Sequence, residues 1–373
     1  MNEEIILKIE NGVGIITLNR PERLNALTYN IVQKMNDFLD KCENDDDIKC
    51  VIIEGSGEKA FCAGGDVVSL RKQVLDDGGP PTELSEKFFY DEYLLNYKIN
   101  NFKKPYIALI DGVTMGGGVG VSMHGSHIVC TERTMFAMPE TTIGLFPDVG
   151  GGWLLAQLPI TIGLWLALTG ARLKSVDLLK TGLANYYVES KNILDLKSHL
   201  IENSSKDHQE VTNLINKFKS QVSGESSIQK NQVEIKEIFE QESIEDILKK
   251  TNLLSENGSD FAKNIEHELM GKSPTSLKIT FKQINEATEM SLKDALIMEY
   301  RMVQRCQASG DFYEGVRAML VDKDRKPNWK PSDLSKVDEI WVNHFFEPLH
   351  ENCLLYTSPS PRDRSLSRMP SSA

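Results

Sequence analysis

Two predicted strands in this chain each run into a glycine-rich loop, and this repeated arrangement constrains the fold more than any other feature. The first strand, at 50–54, precedes the loop FCAGGD at 61–66. The second, YIALID at 106–111, leads into MGGGVG at 115–120. A predicted helix at 85–101 lies between the two units. Strands that alternate with helices favour an α/β fold in which crossovers connect the strands.

The residues before the first unit predict a hairpin and a helix. Strand-forming residues at 5–10 and 14–19 flank an Asn-Gly pair, which strongly favours a tight turn between two strands. A helix is predicted over 28–42, where apolar residues recur at helical spacing. These elements extend the α/β pattern towards the N-terminal end of the chain.

The character of the sequence changes in its second half. Residues 190–262 are polar and charged, lack glycine-rich turns and predict peripheral helices. SPTSLKITFKQI at 273–284 begins like a capped helix, and DALIMEYRMVQRCQ at 294–307 continues the helical pattern. We therefore divide the chain into a core unit at 1–190, which carries the site, and a mostly helical region at 191–352.

The C-terminal segment at 353–373 is interpreted separately. Its first residues, CLLYTSPSPRD, can be back-translated codon for codon into a common sequencing-adapter sequence. We therefore interpret this segment as an unstructured, adapter-derived artefact that is not part of the fold. A disordered Ser/Pro-rich tail is the alternative interpretation.

The charge of the chain limits its partners. Asp and Glu number 54 against 42 Lys and Arg, which gives a formal net charge of -12. Because a field of that sign repels phosphate polymers and anionic lipid surfaces, we expect neither nucleic acid nor membranes as partners. The six cysteines show no CxxC spacing, which suits a reducing compartment. No apolar run is long enough to cross a bilayer, and the acidic start MNEEIILKIE predicts no import presequence.

Both glycine-rich loops allow backbone N–H groups to approach a ligand closely, because glycine has no side chain. One N–H group from each loop could together polarise a carbonyl oxygen as an oxyanion hole. The alternative is that these glycines only permit tight turns or close packing. Neither loop has the spacing of a phosphate-binding motif, and no GxSxG motif indicates a hydrolase of the serine-elbow type.

Other reactive side chains give weaker signals. His124 and His127 have the spacing of a metal pair but no third ligand, so we expect ordinary histidines and no metal site. Cys62 has no histidine near it in the sequence. We expect it to be a buried core residue rather than a nucleophile.

Two acidic residues stand in the otherwise apolar stretch MPETTIGLFPDVGGG at 138–152. An ionised carboxylate that is buried without a partner costs free energy, and two close together raise each other's pKa. A carboxylate in a mostly apolar site can act as a base towards water or a reacting carbon. Glu140 and Asp148 are therefore candidates for acid–base chemistry. The alternative is that each residue caps a helix.

Three stretches together resemble the crotonase superfamily and, within it, the 3-hydroxyisobutyryl-CoA hydrolases of valine breakdown. They are FCAGGD, KKPYIALIDGVTMGGGVG and FAMPETTIGLFPDVGGG, and the resemblance extends from about residue 5 to about residue 344. It implies a crotonase-type spiral of ββα turns with a helical C-terminal region. It also implies that a CoA thioester binds between the backbone N–H groups of Gly65 and Gly117. CoA is then part of the substrate, and no separate cofactor is expected.

The resemblance also implies roles for the acids. Enoyl-CoA hydratases usually carry one Glu shortly after the glycine triplet, where this chain has Gly120, so only Glu140 remains of their two acids. Asp148 fits the hydrolase pattern instead. The resemblance implies that Glu140 acts on the thioester, either by activating water or by forming a transient anhydride. It further implies that Asp148 binds the 3-hydroxyl group and that Glu92 closes the pocket from its helix.

The function implied in this way is hydrolysis of 3-hydroxyisobutyryl-CoA to 3-hydroxyisobutyrate and CoA. One alternative is hydration or isomerisation of an enoyl-CoA. Another is a non-catalytic relative that serves as a structural subunit of an organellar ribosome. The acyl group, 3-hydroxyisobutyryl or 3-hydroxypropionyl, is left open. The resemblance also implies a mitochondrial location, with the cytoplasm or peroxisome as alternatives, and a homo-oligomer.

Overall fold

The computed structural model describes residues 3–80 and 82–349, so the predicted artefact at 353–373 lies outside the described residues. The strands of the described chain form two sheets. In chain order they are β1 (Ile5–Glu10), β2 (Val13–Leu18), β3 (Cys50–Gly55), β4 (Ala60–Cys62), β5 (Tyr106–Ile110), β6 (Val113–Met115), β7 (His127–Cys130), β8 (Met135–Ala137), β9 (Leu173–Lys174) and β10 (Tyr186–Tyr187). The larger sheet has the order β1-β2-β3-β5-β7-β10, and the smaller has the order β4-β6-β8-β9.

The two sheets are built from repeated pairs of strands. In the first pair, β3 joins the larger sheet and β4 joins the smaller. The next two pairs repeat this division: β5 and β7 join the larger sheet, and β6 and β8 join the smaller. β3, β5 and β7 run parallel, as do β4, β6 and β8. Because each pair adds one strand to each sheet, the chain winds as a spiral. This is an α/β architecture, as predicted.

The predicted hairpin is confirmed at the edge of the larger sheet. β1 pairs antiparallel with β2, and Ile5 lies opposite Leu18. Asn11 and Gly12 form the turn with φ angles of 49° and 77°. Positive φ at both central residues matches the twist of the flanking strands, which explains the choice of Asn and Gly.

Helices connect the strands in the first half, and the described chain after β10 contains helices but no strand. In chain order they are α1 (Tyr29–Asn44), α2 (Val67–Asp76), α3 (Glu83–Asn100), α4 (Gly117–Gly120), α5 (Gly151–Ala156), α6 (Ile160–Thr169), α7 (Ser175–Thr181), α8 (Ile193–Glu202), α9 (His208–Asn216), α10 (Ser227–Lys230), α11 (Gln232–Phe239), α12 (Ile244–Glu256), α13 (Asp260–Met270), α14 (Pro274–Ala287), α15 (Leu292–Ser309), α16 (Asp311–Val316) and α17 (Glu339–His344).

The helices predicted at 28–42 and 85–101 are confirmed as α1 and α3, with slightly different ends. α1 begins after Thr28 and α3 after Thr82, and each threonine side chain accepts a hydrogen bond from an amide of the first turn. These N-caps fix where each helix starts. The predicted helical character of the second half is also confirmed.

The C-terminal helices pack onto the part of the spiral that carries the acidic motif. α14 packs against α5 and α6, and α15 packs against α3 and α5. The Trp153 indole N–H in α5 also donates to the Met290 carbonyl oxygen at 3.1 Å. None of the helices described has the length and apolar character needed to cross a membrane. The described cysteines are buried and form no disulfide.

Candidate active site

The two glycine-rich loops lie against each other. A side-chain carbon built on Gly117 would lie 3.2 Å from the backbone nitrogen of Gly65. Leu27 holds the first loop in place. Its N–H donates to the Gly64 carbonyl oxygen at 2.9 Å, and its carbonyl oxygen accepts from the Asp66 N–H at 2.8 Å. This packing brings the two predicted amide donors to one place.

The N–H groups of Gly65 and Gly117 do not donate a hydrogen bond to another described residue. Gly117 is the first residue of α4, and amides of the first helical turn have no partner within the helix. Gly116 precedes it with a φ of 49°, a left-handed conformation that glycine adopts without steric cost. Both amides are therefore available to a ligand oxygen.

Glu140 lies directly beside the second loop. It begins the 3-10 helix Glu140–Ile143 after β8, and it is 5% exposed. A side-chain carbon built on Gly116 would lie 3.0 Å from Glu140 Oε1, whereas Oε2 is buried with no hydrogen-bond partner among the described residues. Burial, and then repulsion by Asp148, raises the pKa of Glu140 well above its ordinary value. Such a carboxylate is a strong base once it is ionised.

Asp148 lies in the turn at 147–150, which precedes α5. The Tyr93 hydroxyl of α3 donates a 2.8 Å hydrogen bond to Asp148 Oδ2. Burial raises the pKa of Asp148 to about 7, although the bond from Tyr93 acts in the opposite direction. Around neutral pH both protonation states of this carboxyl are therefore populated.

Glu92 reaches the same place from α3. It is 2% exposed, and its Oε1 would lie 2.6 Å from a side-chain carbon built on Gly117. That oxygen has no hydrogen-bond partner in the described chain. Burial, and then the charge of Asp148, raises the pKa of Glu92 well above its ordinary value. The structure brings the predicted site residues into one cluster: Gly65, Glu92, Gly117, Glu140 and Asp148.

A further buried acid, Glu299 of α15, lies beside this cluster and is not predicted from the sequence. It is fully buried, accepts the Gly150 N–H through Oε2 at 2.7 Å, and accepts from Gln283 Nε2 through Oε1 at 3.2 Å. Burial raises the pKa of Glu299 well above its ordinary value. The signal in the sequence is only a glutamate within the helical stretch MEYRM at 298–302, and this does not reveal a contact with a distant turn.

Asn96, one helical turn after Glu92 on α3, is a second buried polar residue that the sequence does not predict to lie here. Its side chain is fully buried, yet neither atom of the carboxamide has a hydrogen-bond partner among the residues described. A side-chain carbon built on Gly120 would lie 2.7 Å from Asn96 Nδ2 and 2.7 Å from Val149 Cβ. Position 120 therefore has no room for the second acid that the resemblance places there in hydratases.

The structure does not bring His124 and His127 into one site. His124 Nε2 donates to the Val149 carbonyl oxygen at 2.8 Å, whereas the His127 ring stacks on Tyr186 with centroids 5.9 Å apart. Within 3–80 and 82–349, no group of three or more His, Cys, Asp or Glu side chains could hold a metal ion. Burial raises the pKa of Cys62 to about 12, which disfavours the thiolate that a nucleophile requires.

The chain is similar to known proteins over almost all of its length. A family model described as enoyl-CoA hydratase/isomerase matches residues 13–346. A Gallus gallus protein named "3-hydroxyisobutyryl-CoA hydrolase, mitochondrial" is 45% identical and covers 94% of this chain and 90% of its own length. A Danio rerio protein of the same name is 45% identical, with 94% and 91% covered. The crystal structure of a carnitinyl-CoA dehydratase from Mycobacterium thermoresistibile has a TM-score of 0.86 and 34% identity, with 96% of this chain and 100% of that chain covered.

These similarities test two expectations from the sequence. The crotonase-type fold is confirmed, because a solved structure at 34% identity shares it over nearly the whole chain. The resemblance to the 3-hydroxyisobutyryl-CoA hydrolases is confirmed as well, because relatives of that name match 94% of the chain. The chain therefore belongs to the enoyl-CoA hydratase/isomerase family, in which it is similar to the 3-hydroxyisobutyryl-CoA hydrolases.

Proposed function

We propose that the protein hydrolyses the thioester of 3-hydroxyisobutyryl-CoA and releases 3-hydroxyisobutyrate and CoA. The observation that carries this proposal is the position of Glu140, a buried carboxyl with an unpaired oxygen beside the loop whose Gly117 amide is free. A thioester carbonyl bound to the amides of Gly65 and Gly117 would lie next to this carboxyl. The names of two relatives at 45% identity support the same reaction.

The two amides stabilise the oxygen of the reacting carbonyl in this proposal. When a nucleophile attacks the carbonyl carbon, an electron pair moves to the oxygen, which becomes negatively charged. Donors that are already fixed in place stabilise this charge without reorganisation, and one such donor is typically worth about 3 to 4 kcal/mol. The position of Gly117 at the start of α4 keeps its N–H free of helix hydrogen bonds.

Glu140 supplies the acid–base chemistry. In one route the ionised carboxylate takes a proton from water as the water attacks, the C–S bond breaks, and the proton passes to the CoA sulfur. In the other route Glu140 attacks the carbonyl carbon, the C–S bond breaks, and CoA leaves as the thiolate. Water then cleaves the resulting anhydride, which releases the acid and regenerates the Glu140 carboxylate, and a proton from this water passes to the CoA thiolate. Each route consumes one water and yields one acid and one thiol. A raised pKa makes the ionised Glu140 more basic and more nucleophilic in either route.

Asp148 and Glu92 bind and place the acyl chain. Tyr93 engages Asp148 Oδ2, which leaves Oδ1 to accept a hydrogen bond from the 3-hydroxyl group of the substrate. Glu92 borders the thioester position, because its Oε1 lies beside Gly117. A site built to bond a hydroxyl discriminates against analogues that lack it, because the buried polar group then loses its partner. Hydroxyacyl esters are therefore the preferred substrates.

Hydration of an enoyl-CoA is the second candidate, since a solved structure at 34% identity is named a dehydratase. The family resemblance implies two acids in the members that hydrate, one of them at the position of Gly120. Asn96 and Val149 close that position here. We therefore favour hydrolysis.

The experiment that tests the proposal compares thiol release with hydration in the purified protein. Thiol release is followed with 3-hydroxyisobutyryl-CoA and with isobutyryl-CoA, the matched ester without the hydroxyl group, while methacrylyl-CoA serves as the substrate for hydration. We expect rapid release from the hydroxy ester and release at least about 10²-fold slower from isobutyryl-CoA. Faster hydration than thiol release would favour the second candidate. Absence of turnover together with co-sedimentation with ribosomes would favour a structural subunit.

We also propose a mitochondrial location, because the names of both relatives include that compartment. The proposed partner of the site is an acyl-CoA. In this proposal CoA enters as part of the substrate, and we expect no separate cofactor. A homo-oligomer stays a prediction from the family resemblance.

A further inference from the structure

The turn at 147–150 is held by polar side chains from four separate parts of the chain. Each of its residues contributes one atom to a hydrogen bond with these side chains: the Pro147 carbonyl oxygen, Asp148 Oδ2, the Val149 carbonyl oxygen and the Gly150 N–H. Gln283 Nε2 of α14 donates to the Pro147 carbonyl oxygen at 2.7 Å, and the Tyr93 hydroxyl of α3 donates to Asp148 Oδ2 at 2.8 Å. His124 Nε2, which follows α4, donates to the Val149 carbonyl oxygen at 2.8 Å, and Glu299 Oε2 of α15 accepts from the Gly150 N–H at 2.7 Å.

The turn needs this support because its backbone is strained. Val149 has a φ of 55°, in the left-handed region that a β-branched residue rarely adopts. Gly150 follows with a φ of 75°, and a side-chain carbon there would lie 2.6 Å from His124 Nε2. Such a conformation persists only where the surrounding contacts determine it. The hydrogen bonds to the turn supply those contacts.

Glu299 and Gln283 are the part of this support that comes from the C-terminal helices. Gln283 Nε2 donates to the Pro147 carbonyl oxygen and, at 3.2 Å, to Glu299 Oε1. Glu299 Oε2 accepts from the Gly150 N–H. Gln283 and Glu299, which are bonded to each other, therefore connect Pro147 at one end of the turn to Gly150 at the other. Both side chains are fully buried. Neither belongs to the set of residues that would touch the thioester.

We propose that Glu299 and Gln283 are positioning residues for hydroxyacyl specificity: they fix the strained turn so that Asp148 faces the 3-hydroxyl group. The inference rests on the proposed function, because it assigns the pair to the substrate preference of that reaction. Without the pair the turn relaxes towards ordinary φ values, and Asp148 moves away from the hydroxyl group. The preference for the hydroxy ester then falls more than the rate of thioester cleavage itself.

The test uses Glu299→Leu and Gln283→Leu, which remove the bonds to Gly150 and Pro147. The measured quantity is the ratio of kcat/KM for 3-hydroxyisobutyryl-CoA to kcat/KM for isobutyryl-CoA. We expect each variant to lower this ratio roughly tenfold or more, because small displacements of a binding group have large kinetic effects. A smaller folded fraction would lower both values equally and leave the ratio unchanged. The exposed Glu289→Gln is the matched control.

Rescue by a conservative variant separates the bond from the volume of the side chain. Glu299→Gln keeps an oxygen that accepts from the Gly150 N–H, so we expect a ratio between those of Glu299→Leu and the wild type. A wild-type ratio in the folded Leu variants would overturn the inference. If Glu299→Leu does not fold, the ratio in Gln283→Leu decides. Absence of thioester hydrolysis in the wild-type protein would instead refute the proposed function.

Discussion

Glu140 is set apart by the surroundings of its two oxygens. Oε1 borders Gly116, and Oε2 has no hydrogen-bond partner within the described chain. A buried polar atom without a partner costs about 1 to 3 kcal/mol, so this arrangement does not serve stability.

The alternative that the acids act as helix caps is wrong. Neither the 3-10 helix Glu140–Ile143 nor α5 has a side-chain cap.

Glu140→Gln should slow catalysis strongly without harming the fold. The amide keeps the shape of the side chain but can neither accept a proton nor attack the thioester, so kcat should fall roughly 10²- to 10⁴-fold. The melting temperature should stay the same or rise, because the neutral amide cannot ionise in a site where burial and Asp148 disfavour a second charge. Thiol release and thermal unfolding by circular dichroism measure the two effects, with Glu289→Gln as an exposed control. Full activity in Glu140→Gln would refute the assignment.

Asp148→Asn should change how stability depends on pH. Burial raises the pKa of Asp148 from 3.8 to about 7, so between about pH 4 and about pH 7 the folded protein binds more protons at this position than the unfolded chain. The stability of the wild type therefore falls as the pH rises through this window, and Asn removes that contribution. The melting temperature of the variant, relative to the wild type, should rise across the window. A difference in melting temperature between the variant and the wild type that does not change with pH would contradict the raised pKa of Asp148.

Side chains within one motif could be predicted from the sequence, whereas contacts between distant segments could not. Glu140 and Asp148 were found because acids in an apolar stretch require a physical reason. Glu299 and Asn96 could not be predicted, because their positions depend on tertiary packing. Glu299 matters because α15 packs against the turn at 147–150, and Asn96 matters because α3 packs against α4. Spacing along the chain does not encode that packing.

At the scale of elements, α4 requires close contact with its neighbours. A side-chain carbon built on Gly118 would lie 2.2 Å from the Cys62 carbonyl oxygen. Only glycine allows the helix to approach β4 so closely. This approach places the two glycine-rich loops side by side, so the packing of one short helix determines the distance between the two predicted amide donors.

Gly120→Ala should destabilise the protein by about 1 to 3 kcal/mol, as overpacking of a filled site usually does. The added methyl group would lie 2.7 Å from both Asn96 Nδ2 and Val149 Cβ. Gly271→Ala is the matched control, because the nearest atom there is 3.6 Å away and the backbone is not left-handed. Urea unfolding compares the variants. If Gly120→Ala and Gly271→Ala unfolded at the same urea concentration, α4 would be shown to shift and make room for the methyl group.

Long elements could be predicted from the sequence better than short ones. The ends of α1 and α3 lie within about two residues of the predicted bounds, as periodic segments of this length allow. β7 and β8 were not predicted, because strands of 4 and 3 residues show too little alternation. The sequence predicts a loop at MGGGVG, yet its last four residues form α4. The low helix propensity of glycine conceals this helix.

At the scale of the whole molecule, the C-terminal helices complete the site. α14 packs on α5 and α6, and α15 on α3 and α5. The hydrogen bond from Trp153 to Met290 crosses the same interface. The division of the chain at residue 190 stays a prediction, and these contacts lead us to expect that the two parts unfold together.

A fragment of residues 1–190 should therefore be inactive. It would lack α14 and α15, expose the apolar faces of α5 and α6, and lose the support of the turn at 147–150. We expect no thioester hydrolysis by the fragment and partial recovery when residues 191–349 are coexpressed with it. Thiol release measures the activity of the fragment, and circular dichroism measures its folding. A folded and active fragment would show that the two parts are independent.

The bonds that Gln283 and Glu299 make to the turn join positions 136 and 149 residues apart in the chain. A chimera that fuses the first half of one relative to the second half of another would combine a turn and helices that were never selected together, even where both parents are active. Crossover points for gene shuffling in this family should therefore keep positions 147–150, 283 and 299 from a single parent.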